Sequence, residues 1–144
     1  MSGTPLRHDY AVYGGRLRSA LAFDAVPATG AAPHDWTLDV APPTAPPADA
    51  RLLGEATYAG GATMRLWRHA SGLTLQTSDV GAYELADGGA TLTWRAASRG
   101  RADVLARFDV LGRVLPLALH QTGLLCLHAG GVVLPAGAVA LVAP

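Results

Sequence analysis

The sequence predicts an α+β protein: an antiparallel β-rich region, one amphipathic helix, and then the first strands of an α/β core that is cut short. Three observations carry this reading. Over residues 1–100, apolar and polar residues alternate between closely spaced turn signals, the pattern of an antiparallel meander. Val104, Phe108, Leu111, Leu115 and Ala118 then recur at alternating spacings of four and three, the stripe of a helix. From Leu124 onward the apolar runs stop alternating, which in a short strand means burial on both faces.

The β-rich region is expected to open with a hairpin. Tyr10 and Val12 precede Gly14-Gly15, and Leu17, Leu21 and Phe23 follow. Trp36, Leu38 and Val40 alternate in a third run. Four prolines in Pro42-Pro43-Thr44-Ala45-Pro46-Pro47 cannot join a central sheet, so 41–50 is expected to be an extended surface loop or linker. Strands are expected again at Leu52 to Tyr58, Met64 to Arg68, Leu73 to Thr77, Ala82 to Leu85 and Thr91 to Trp94. Gly60-Gly61, Ser71-Gly72 and Asp87-Gly88-Gly89 punctuate them, and an Asp-Gly pair between alternating runs marks a tight hairpin.

Helix and C-terminal strands form a second unit, 101–144, behind the β-rich accessory region of 1–100. Asp103 suits the start of the helix dipole. Gly123 is a stop signal, and Pro116 is expected to kink the helix or tighten one turn. Leu124 to Leu127, Val132 to Leu134 and Val139 to Val142 read as short strands, with Pro135-Ala136-Gly137 as the last turn. The final strand has no following helix to cover it, which suggests a truncated domain.

Composition narrows the functional classes. Of 144 residues, 50% are hydrophobic and 15% charged, and acids balance bases. No basic surplus exists to hold nucleic acid. Arg65 and Arg68 beside Trp67, and Arg95 beside Trp94, read as solvated arginines with tryptophans turned inward. All eleven basic residues are arginine, and there is no lysine, so the Gly-Lys-Ser/Thr loop that cradles ATP phosphates is not within these residues. Val114 to Pro144 carries no Asp, Glu, Lys or Arg. Its prolines and glycines break it into pieces too short for a membrane span.

Single side chains add little chemistry. The histidines at 8, 34, 69, 120 and 128 lack the spacing of a metal site. Ser71 lies near His69 without a nucleophile elbow around it. Cys126, the single cysteine, reads as a small buried hydrophobe. No secretory signal is visible at Met1-Ser2-Gly3-Thr4-Pro5, so a cytoplasmic location is expected.

One segment carries a family likeness. Leu119-His120-Gln121-Thr122-Gly123, then Leu127-His128-Ala129, then the apolar run Val139 to Val142 leading into Ala143-Pro144 resembles bacterial kinases related to HPr serine kinase/phosphorylase. In that group a second apolar strand runs directly into the phosphate-binding loop. The Tyr10-x-x-Tyr13-Gly14 phrase, the proline-rich stretch and the β-rich front are similar as well. The resemblance implies that the last strands open a truncated P-loop kinase core, with Ala143 and Pro144 at the start of the loop and His128 close to the active site. It implies ATP and Mg²⁺ as cofactors of the full-length protein, a protein or peptide hydroxyl as phosphoacceptor, and a homo-oligomer as one permitted assembly. No nucleic acid or membrane partner is expected. This chain alone, lacking the loop, is expected to be inactive. The residues also leave open a self-contained β-rich binding module without catalysis.

Overall fold

The computed structural model describes residues 6–58, 60–97 and 101–142. Eight strands form one sheet: β1 (His8–Val12), β2 (Gly15–Ser19), β3 (Trp36–Ala41), β4 (Arg51–Thr57), β5 (Thr63–His69), β6 (Gly72–Thr77), β7 (Gly81–Ala86) and β8 (Thr91–Ala96). Their order is β1-β2-β3-β8-β7-β6-β5-β4. From β8 to β4 the pairs are antiparallel, as the meander predicts. Strand β3, however, runs parallel to both β2 and β8, so the sheet is mixed. Side-chain alternation is the same in either direction, and only the long connections around β3 decide it.

The helical rod comprises α1 (Arg101–Asp109), a π turn (Val110–Val114) and α2 (Leu115–Gln121). Ala102, Ala106, Val110, Val114, Leu115, Ala118 and Leu119 are buried in one core with Leu38, Leu73, Leu75, Tyr83, Leu85, Leu92 and Trp94 of the sheet. The expected break between 100 and 101 therefore falls inside a continuous hydrophobic core. Small alanines on the rod leave room for the bulky Tyr83 and Trp94, both fully buried. Gly89, in the turn between β7 and β8, has φ +95, and a Cβ there would lie 2.9 Å from the Ala118 carbonyl oxygen.

Burial selects a different helix face from the one expected. Leu115 and Ala118 are buried, but Val104 and Phe108 are 50% and 71% exposed. The buried series 102, 106, 110, 114, 118 advances by four. At about 100° per residue an ideal helix would carry its last member roughly 160° away from its first. The wider π turn absorbs part of that drift, because the Leu115 N–H bonds the Val110 carbonyl five residues back. Pro116 thus accompanies a widened turn, not a tightened one.

The two faces of the sheet are covered differently. The rod covers one. On the other, the proline-rich connection from β3 to β4 leaves the middle of the sheet and ends at its far edge. Arg95 Nη1 donates to the Pro42 carbonyl at 3.5 Å and the Thr44 hydroxyl to Glu84 at 3.5 Å. Since Arg95 and Glu84 alternate with Trp94 and Tyr83, this strap lies opposite the helix.

The C-terminal strands overturn the expected fold class. Strands outweigh helix among the described residues, and an eight-stranded mixed sheet with one helix is mostly β. It is not an α+β arrangement leading into the first strands of an α/β kinase core. Leu124 to Leu127, expected to be a strand, is not one. Strands β9 (Gly130–Leu134) and β10 (Gly137–Leu141) pair antiparallel only with each other, and every residue of both is exposed. Continuous apolarity marks a surface suited to burial on two sides; it does not supply the layers that bury it.

Candidate functional site

Two features stand apart from simple packing: a polar seam under the helix, and an apolar surface outside it. The seam begins at Tyr83 on β7, whose hydroxyl donates to Asp109 Oδ2 at 3.2 Å. The other oxygen of Asp109, whose side chain is 5% exposed, pairs with Arg113 one turn on. The Arg113 guanidinium in turn lies 5.1 Å from the centre of the Tyr58 ring, a cation–π distance. Tyr58, just after the edge strand, is thereby linked to the middle of the sheet. Burial first, and then the charge and hydrogen bond of Asp109, raise the Tyr83 hydroxyl far above its ordinary pKa, so it remains a donor.

A cavity of about 270 Å³ opens beside this seam, lined by Tyr58, Thr63, Thr77, Asp79, Asp109 and Arg113. On the other side of Arg113 an apolar hollow of about 390 Å³ is floored by Ala56, Met64, Leu66 and Leu75 and walled by Leu117. Because Arg113 is committed to Asp109 and Tyr58, the seam reads as a structural clamp.

His128 is exposed. It lines a cavity of about 690 Å³ with Tyr13, Pro116, Leu119 and Cys126. No carboxylate is among the residues lining that cavity. Cys126, expected to be buried, is exposed, with its thiol 3.4 Å from the Pro116 carbonyl. Ala143 and Pro144 lie outside the described residues. His69 bridges two hydroxyls, with Nδ1 2.9 Å from Ser71 Oγ and Nε2 2.9 Å from Thr74 Oγ1. This ties down the β5–β6 turn.

The described residues do not fit ATP or Mg²⁺. The sequence has no lysine for the outer phosphates. The rod's first turn carries Asp103, which opposes an anion where the helix dipole would attract one. No group of three or more His, Cys, Asp or Glu suited to a metal occurs among the described residues. No step of phosphoryl transfer is assigned to them.

The apolar surface was only half legible from sequence. Val104 and Phe108 on the outer helix face are exposed, and so are Leu124, Leu125, Leu127, Val132, Val133, Leu134, Val139, Leu141 and Val142. Among the described residues no helix is long and apolar enough to cross a membrane. Comparison with known proteins gives no assignment: no protein family, curated protein or solved structure matches the chain.

Proposed function

We propose that this chain is the β-rich accessory portion of an ATP-dependent serine kinase similar to HPr serine kinase/phosphorylase, inactive by itself. In this reading its exposed apolar surface docks onto the part of the enzyme that binds ATP and Mg²⁺. One observation supports the reading most directly. The rod is apolar on the sheet side and again at Val104 and Phe108 on the solvent side, and the uncharged 124–142 segment adds further exposed apolar side chains. A helix with apolar side chains toward the sheet and again on its outer side is suited to lie between two layers, and one layer is present. The Leu127-His128-Ala129 phrase and the run to Pro144 supply the kinase likeness; the phosphoacceptor is a protein or peptide hydroxyl.

The test is to express the chain together with the polypeptide encoded immediately downstream of Pro144, and to assay transfer of labelled phosphate from ATP to serine peptides. Transfer by the joined product but not by this chain, with loss of hydrophobic-dye binding on joining, supports the reading. A reading frame that stops after Pro144, giving a product that binds no dye, overturns it.

A second reading is favoured by a different observation. The buried core runs from Tyr10 to Leu119 and includes no residue of 124–142, as expected of a self-contained β-rich binding module without catalysis. A stop after Pro144 with the dye still bound supports this second reading.

A further inference from the structure

The strap across the back of the sheet carries an inference independent of the kinase reading. Pro42, Pro43, Pro46 and Pro47 have φ fixed by their rings. Ala41, Pro42, Ala45 and Pro46 each precede a proline and are thereby held extended. Thr44 is the single residue of 41–47 under neither constraint. These constraints favour a left-handed polyproline II helix, with three residues per turn, along the run.

That period sorts its side chains into three ridges. Thr44 and Pro47 share one, Pro42 and Ala45 the second, Pro43 and Pro46 the third. Thr44 donates to Glu84 on the sheet, and Pro47 is half-buried while 42–46 are exposed. The Thr44/Pro47 ridge thus faces the sheet, and the other two face solvent. Both ends are tied down: Arg95 donates to the Pro42 carbonyl, the Ala50 N–H to the Pro47 carbonyl at 3.0 Å, and the Ala70 N–H to Asp49 at 2.7 Å.

We propose that this strap is a docking element for a protein domain with an aromatic-lined polyproline groove. Such grooves take two adjacent ridges of a polyproline helix and leave the third out, which is how this strap is presented. Anchoring at both ends lowers the ordering cost that a free peptide incurs on binding. Residues 40–48 carry no charge, so the fit is to an apolar aromatic groove and not to an acidic one.

The test uses the whole chain against an array of isolated SH3 and WW domains, followed by calorimetric titration of any domain retained. At least one domain is expected to bind. Pro43→Ala/Pro46→Ala together should weaken it at least roughly tenfold, as truncating two anchors does. Pro47→Ala, on the sheet-facing ridge, should change affinity by less than about threefold. Thermal melting confirms that each variant is folded. Should no domain be retained, should the double variant bind as tightly as the parent chain, or should Pro47→Ala weaken binding as much as the double variant, the proposal is overturned.

Discussion

The Tyr13 hydroxyl donates a hydrogen bond to the Leu111 carbonyl at 2.5 Å, across 98 residues of chain. Leu111 needs this outside donor because of the π turn. The Leu115 N–H, its ordinary partner, bonds Val110 instead. Pro116, next in line, has no N–H. Tyr13 sits in the β1–β2 turn at φ 51, so the first hairpin closes a defect in the helix.

Tyr13→Phe should therefore destabilise the fold by about 1 kcal/mol, the usual net value of one hydrogen bond. Tyr13 is 52% exposed, and water will recover part of the loss. Urea denaturation reads it, and an unchanged midpoint argues against the role assigned to Tyr13.

Alkaline pH should weaken the fold. Burial raises both Tyr83 and Tyr13 above the ordinary value of 10.0, helped by Asp109 in the first case and Cys126 in the second. The folded state then holds these protons more tightly than the unfolded chain. Their contribution is complete below pH 10 and is lost as pH rises through 10 and beyond. Melting temperature should be insensitive to these groups near neutrality and fall above pH 10, less steeply in Tyr83→Phe. An equal slope in that variant sinks the assignment to Tyr83.

The clamp under the helix should behave asymmetrically. Arg113→Ala leaves the Asp109 carboxylate, only 5% exposed, with Tyr83 alone, at a cost of roughly 2 kcal/mol. Adding Asp109→Asn removes the stranded charge and should restore part of the loss. A double variant no more stable than Arg113→Ala alone would show that burial of that charge is not the cause.

Gly89→Ala should cost on the order of 2 kcal/mol, because it combines a left-handed φ with overpacking. The added Cβ meets the backbone oxygen of Ala118 at 2.9 Å, so a side-chain rotation cannot relieve it. A variant melting with the parent chain is the contrary result.

Ending the chain after Gly123 should leave the sheet and helix folded and abolish most hydrophobic-dye binding, since the exposed apolar residues at 124–142 are removed. Loss of cooperative melting in this shortened chain would show that the hairpin supports the core after all.

Much of the local structure is legible in the residues. Alternation at Tyr83/Leu85 and Leu92/Trp94 marks strands and their buried faces, and Asp87-Gly88-Gly89 marks the turn between them. Gly123, with φ +86, ends the helix as expected. The Asp109–Arg113 spacing fits a helix turn, yet nothing local connects it to Tyr83 or Tyr58. Those partners come from other strands, brought alongside only when the sheet closes over the rod.

Turn chemistry and apolar period, both set within a few neighbouring residues, determined where the main sheet bends, which segments of 1–100 are strands, and that 101–121 is helical. The tertiary structure alone decided that β3 runs parallel to its neighbours, that the rod buries Ala106 and Val110 while exposing Phe108, and that the last hairpin stands outside the main sheet. The physical reason is that periodicity records how a segment is suited to be buried, whereas the surface that buries it is supplied by residues far away in the chain.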